Sequence, residues 1–213
     1  MSRRAEILAE MGLAPVWKLR AKAGVPEPKV EGWIPLKAAV SGCTRCGLHQ
    51  TRTQTVFGVG DENADWMLIG EAPGAEEDRL GDPFVGQAGK LLDNMLAAVG
   101  LSRRKNVYIA NVLKCRPPGN RNPAPDEVEK CTPYLLQQIE LTRPKLILAM
   151  GRFAAQTLLK SDASIASMRG RLHSYAGVPL IVTYHPAYLL RTLEDKAKAW
   201  EDLVFARKTM AGL

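Results

Sequence analysis

WMLIGEAPGAEEDRLGDPFVG, residues 66–86, is an apolar run that ends abruptly in a Gly-Glu-Ala-Pro-Gly turn followed by a string of acids. Residues 66–69 read as a short central strand, because a continuous apolar run bounded by turn residues suits a strand covered on both faces. Gly70 and Gly74 let the backbone approach a ligand closely, and Pro73 stiffens the turn by fixing φ and removing an amide donor. Such a turn at the carboxyl end of a strand is where open α/β sheets bind ligands, which predicts Glu71 and Asp78 at the mouth of a pocket.

The pattern repeats outward from this stretch. Residues 88–99 place Leu91, Leu92, Met95, Leu96 and Val99 at helical spacing, with Gly100 as the stop. Residues 107–110 (VYIA) predict a second strand, ending at Asn111. After a Pro/Gly/Asn loop over 115–125, Asp126, Glu127 and Glu129 favour a helix start at the positive end of the dipole. That helix runs towards Leu141, carries Cys131, and tolerates Pro133 only near its first turns. Residues 145–150 predict a third strand, 152–159 a helix, 172–184 a hairpin or short strand leading into PLIVTY, and 193–210 a long final helix. Alternating strands and helices imply a mainly parallel sheet of about four strands with helices on both faces. Towards the start, a short helix over 3–11 and a Pro/Gly-rich linker over 24–35 form an extension, residues 1–35, ahead of a single domain at 36–213.

Of 213 residues 46% are apolar and 24% charged, enough for one sizeable core. No apolar run approaches the roughly 20 residues of a bilayer crossing, and residues 1–12 lack the apolar stretch of a signal peptide, so a cytoplasmic protein without a membrane partner is expected. The formal net charge is +7, with basic clusters at Lys18/Arg20/Lys22, Arg103/Arg104/Lys105, Lys114/Arg116/Arg121, Arg169/Arg171 and Arg191/Lys196/Lys198. Excess positive charge favours a polyanionic partner through counterion release.

Cys43, Cys46, Cys115 and Cys131 are the four cysteines. In a cytoplasmic chain disulfides are disfavoured, so four patterned thiols point to a metal. The spacing Cys43-Thr-Arg-Cys46 brings two thiolates to one site, and Cys115 is followed by Arg-Pro-Pro-Gly, which has no core pattern. Four thiolates suit either zinc or a [4Fe-4S] cluster.

Glu71, Asn111 and His185 each stand where a strand stops, so all three are expected to converge on one crevice at the carboxyl edge of the sheet. Together with Gly70-Glu-Ala-Pro-Gly74, Pro83-Phe-Val-Gly86, Ala88-Gly-Lys-Leu-Leu92, the four cysteines and His185-Pro-Ala-Tyr-Leu-Leu-Arg191, they make a set that resembles the family 4, iron-sulfur uracil-DNA glycosylases. The resemblance covers roughly residues 36–206. It implies a three-layer α/β/α sandwich, a [4Fe-4S] cluster on Cys43, Cys46, Cys115 and Cys131, uracil-containing DNA as substrate, and a protein acting as a monomer.

The resemblance also implies roles. Phe84 offers the flipped base a stacking face, the carboxamide of Asn111 accepts from uracil N3–H and donates to O4, and the backbone of Glu71, Ala72 and Pro73 lines the uracil site. His185 donates to O2 as negative charge builds there, and Glu71 positions or activates water. Leu189 and Leu190 resemble the apolar wedge that fills the gap left by the base, with one of the two expected in the core, and Arg191 holds a phosphate. Two rival classes are a non-enzymatic DNA-binding module and a redox protein. A related group couples covalently to uracil-DNA through a histidine in a basic insert, but residues 119–125 (GNRNPAP) carry no histidine, so turnover is expected.

Overall fold

The computed structural model describes Arg3, Ile7, Glu10, Met11 and residues 31–213. The helix expected over 3–11 lies largely outside the described residues, as does most of the linker expected over 24–35. Within the linker stretch Glu31 and Gly32 form a bend and Trp33 then opens a helix: α1 is Trp33–Ser41. The Trp33 ring packs 5.1 Å from Tyr108 and 6.1 Å from Phe57, centroid to centroid. Pro35 falls in the first turn, where its missing N–H would have had no helical partner anyway.

The sheet has six strands, two more than expected: β1 Val59–Gly60, β2 Trp66–Gly70, β3 Val107–Asn111, β4 Leu146–Met150, β5 His173–Tyr175 and β6 Val178–Thr183. Their order is β1-β3-β2-β4-β6-β5. The inner four are parallel, and each edge strand pairs antiparallel with its neighbour. β1 is two residues long and leaves no periodic trace. β5 joins β6 through Ala176 and Gly177, at φ 50° and 80°, the left-handed pair that closes tight hairpins.

β2, β3 and β4 are buried at every position, and their alternating side chains feed two separate cores. Met67, Ile69, Tyr108, Ala110, Ile147 and Ala149 face one way, against Leu36 and Val40 of α1, Leu135 and Ile139 of α4 (Pro125–Thr142) and Leu158 of α5 (Arg152–Leu159). Trp66, Leu68, Val107, Ile109, Leu146 and Leu148 face the other, against Leu92 and Leu96 of α3 (Gln87–Ala98) and Leu203 and Ala206 of α8 (Asp195–Ala211). The result is an α/β/α sandwich, completed by α2 (Ala75–Leu80), α6 (Ile165–Met168) and α7 (Pro186–Leu189). No described helix is long and apolar enough to cross a membrane.

Pro133 departs from expectation. It lies in the middle of α4, buried, where it removes one helical hydrogen bond, a loss that packing must offset.

The loop after α2 is fixed by contact with α3. A Cβ at Gly89 would overlap the Phe84 carbonyl oxygen, so this helix and this loop meet only because the β-carbon is missing. Gly89→Ala is expected to destabilise the fold by about 1–3 kcal/mol. Urea unfolding checks this; an unchanged midpoint would mean that the loop yields freely.

Candidate active site

The parallel register of β2 and β3 pairs Gly70 with Asn111, and β4 pairs with β6 up to Met150 and Thr183. The residues just beyond these positions therefore emerge at one edge. A cavity of about 480 Å³ opens there, lined by Glu71, Ala72, Pro73, Gly74, Glu77, Phe84, Ala88 and Asn111 on one side and by His185, Ala187, Tyr188 and Arg191 on the other. Pro117, Asn120, Arg121 and Asn122 form a further wall. Glu71, Ala72, Pro73, Phe84, Asn111, His185 and Arg191, all singled out in the sequence, thus share one cavity.

Gly70 governs how tightly this wall is built. A Cβ there would overlap Asn111 Oδ1 and come within 2.7 Å of Phe84 Cζ. Asn111 is only 3% exposed, and its Oδ1 has no hydrogen-bond partner among the described residues. A buried acceptor left unpaired costs about 1–3 kcal/mol unless a ligand completes it. The Phe84 ring lies 5.4 Å from the His185 ring, tilted by 30°.

His185 caps α7, with Nδ1 accepting the Ala187 N–H at 3.1 Å. An accepting Nδ1 carries no proton, so the neutral ring holds its proton on Nε2. Burial pushes the imidazole down to about 4, Arg191 adds to this, and Glu77 opposes it. Burial also raises the Glu71 carboxyl above the usual carboxylate range, with Arg152 pulling the other way.

Several sequence expectations need correction. Asp78 does not stand at the mouth of the cavity. It is 4% exposed, and its carboxylate accepts the Thr53 N–H at 3.0 Å, tying that loop to α2. Its neighbour Glu77 lines the cavity instead, accepting from Gly74 N–H and Val85 N–H at 3.1 Å each and so joining the two loops of the wall. Helix phase alone could have separated the two acids, because α2 turns about 100° per residue. The leucine pair divides as expected, one to the core: Leu189 is 1% exposed and packs with Tyr184 and Ala199, whereas Leu190 is 42% exposed. Lys114 is not a surface cation: it is 1% exposed, and its Nζ donates to the Asn111 carbonyl at 2.8 Å and to Gln138 Oε1 at 2.6 Å.

Away from the cavity, Cys43, Cys46, Cys115 and Cys131 together line one small pocket with Arg45, Arg52 and Tyr134. Arg52 Nη1 donates to Cys115 Sγ at 3.1 Å, and the Lys114 N–H donates to Cys131 Sγ at 3.3 Å. Burial pushes the Cys131 thiol up to about 12. Such a thiol ionises only opposite strong positive charge. No three His, Cys, Asp or Glu side chains among the described residues are grouped closely enough to hold one metal ion.

A doubly covered, mainly parallel sheet with a carboxamide, an aromatic ring and a histidine around a cavity at its carboxyl edge has the layout in which open α/β folds take ligands. The chain belongs to the uracil DNA glycosylase superfamily, whose family model matches residues 57–204. Within that superfamily it is 49% identical to the Type-4 uracil-DNA glycosylase of Archaeoglobus fulgidus, over 71% of this chain and 79% of that protein. It is 42% identical to the Type-4 enzyme of Pyrobaculum aerophilum (79% and 89% covered) and 44% identical to that of Thermotoga maritima (75% and 83% covered).

The tautomer of His185 is open to test. Because the folded pKa lies near 4, below the ordinary 6.5, the unfolded chain takes up the proton first as pH falls. His185 therefore destabilises the fold progressively between those two values and has no effect at higher pH. Nitrogen-15 NMR should show a neutral ring protonated on Nε2 from pH 8 down to about pH 5. An imidazolium at pH 6 would remove this assignment.

Proposed function

We propose that this protein removes uracil from DNA by hydrolysing the N-glycosidic bond, releasing free uracil and leaving an abasic site. The observation that carries the reading is the buried Oδ1 of Asn111, without a partner among the described residues, in the cavity it shares with Phe84 and His185. It is an acceptor in need of a donor, and uracil N3–H is one. The carboxamide N–H groups then meet O4, whereas cytosine presents the reverse pattern and would leave buried groups unpaired. Phe84 supplies the stacking face, and the Glu71, Ala72 and Pro73 backbone closes the base pocket.

His185 donates from Nε2–H towards O2 of the departing base. A donor already neutral at pH 7 stabilises developing negative charge without giving up its proton, so its role is electrostatic rather than that of a general acid. Glu71, with its raised carboxyl, positions or activates the attacking water. Leu190, exposed and next in the chain to the cavity-lining Arg191, is the wedge that fills the gap left by the base, and Arg191 holds a phosphate. Leu189, buried, carries the loop into the core. The glycosylase domain runs from α1 onward, with the residues before it as an extension.

The four cysteines fit a [4Fe-4S] cluster. All four line one common pocket away from the base cavity, and four thiolates are the ligand set such a cluster takes. Arg52 N–H and the Lys114 backbone N–H would support the ligating sulfurs. When bound, the cluster supplies positive charge that holds the thiolates ionised and ties α1 and its following loop to α4.

A uracil-containing oligonucleotide, cleaved at any abasic site formed, tests the reading. His185→Ala should lower the single-turnover rate on the order of 100- to 1000-fold while DNA affinity stays nearly intact. Asn111→Asp should reduce uracil excision and relax discrimination against cytosine. Collapse of affinity with normal chemistry would move His185 out of the base pocket. The cluster is checked separately: the purified protein should be brown and contain iron and sulfide, and zinc in their place would end that assignment.

A further inference from the structure

Phe84 has φ 55°, the left-handed region that an aromatic residue rarely occupies. Its backbone does not stay there unaided. Arg103 Nη1 donates to the Pro83 carbonyl at 2.9 Å and Nη2 to the Phe84 carbonyl at 2.8 Å. The remaining face of the guanidinium is fixed by Asp93 of α3, whose Oδ1 accepts from Nε at 2.9 Å. Three donors of one planar fork are thus used, two of them on consecutive carbonyls, a task that the point charge of a lysine does not reproduce. The Arg103 side chain is 19% exposed. Its charge is turned inward, although it stands in a basic triplet that by sequence suggests a DNA-facing patch. From the other side, Gly89 of α3 abuts the Phe84 carbonyl, and Glu77 holds the next amide, Val85 N–H.

The consequence lies at the ring. A residue locked in φ by both of its neighbours projects its side chain in one direction, and the Phe84 ring is aimed at the cavity beside His185 and over Gly70. Release of the carbonyls would let φ relax to the broad negative region and swing the ring away from the base position. We propose that Arg103, oriented by Asp93, is a positioning residue that sets the plane of the Phe84 ring and so the stacking of the extruded base. This deepens the uracil reading and rests on Phe84 being the stacking face.

A double-mutant cycle separates the two claims. Arg103→Gln should lower the single-turnover rate on uracil-containing DNA by roughly 10- to 100-fold, the scale of a misplacement of about 1 Å. Inhibition by free uracil should weaken in parallel. In a Phe84→Ala background the same substitution should change either quantity by less than about twofold, because the ring through which it acts is gone. Affinity for an abasic duplex and its salt slope should be unaltered, since no phosphate contact is lost. Asp93→Asn, which keeps both carbonyl bonds but frees the guanidinium, should give a smaller loss that also vanishes without the ring. Arg103→Lys should fail to restore the rate. If Arg103→Gln does not fold, Asp93→Asn and Arg103→Lys carry the same cycle. Equal losses with and without the ring, or a shallower salt slope, would overturn the inference. A Phe84→Ala protein with normal excision and normal uracil inhibition would instead overturn the stacking face itself.

Discussion

Gly70 and Asn111 stand opposite each other in the register of a parallel ladder, and the missing β-carbon of the first is what lets the carboxamide of the second and the ring of Phe84 meet. The register of four buried strands fixes where the chain leaves the sheet. Glu71, Asn111 and His185 follow from it directly, because a one-residue slip would turn every side chain to the other face. The ladder itself depends on two cores that load opposite faces of the same strands, so the site inherits the rigidity of the most buried part of the molecule.

That rigidity has an electrostatic use. The cavity walls place a neutral imidazole, an unpaired carbonyl oxygen and a carboxyl raised by burial within one small space. Each state is costly in isolation, and each is what a departing uracil anion and an incoming water would meet. A donor on His185 Nε2 would be strengthened by the low local dielectric of so buried a ring.

Positive charge is sorted by the fold into two populations. Lys114, Arg103 and Arg169 are taken inward. Lys114 spans α4 and β3 through Gln138 and the Asn111 carbonyl, Arg103 grips the Phe84 loop, and Arg169 pairs with Asp202 at 2.7 Å and stacks 5.0 Å above Tyr184. Arg191 remains at the cavity wall, where a phosphate backbone would run, whereas Arg121 on the same wall is held by Glu127 at 2.6 Å. The excess of basic residues is real, but a good part of it holds loops in place rather than meeting a polyanion.

Legible in the sequence were the central strands, the helices between them and the triad of strand ends, because hydrophobic runs and Gly/Pro punctuation are local signals that need no partner to be read. The four cysteines and the Gly70–Gly74 turn were likewise apparent, since spacing within a few residues fixes reach. What stayed hidden depended on contacts between distant segments. β1 exists only because β3 offers a free edge, and Trp33 opens a helix where its half-buried ring packs against Tyr108 and Phe57. Asp78 turned out to be held inside by the Thr53 amide, a contact across 25 residues that its own surroundings in the sequence do not announce. Leu189 and Leu190 were indistinguishable as letters until packing against Tyr184 and Ala199 claimed the first. The chain thus fixed which chemistry was present, through residue types and short-range spacing. Only the tertiary structure decided which of those groups were desolvated, paired and aimed at one another, because burial is a property of the whole assembly of segments.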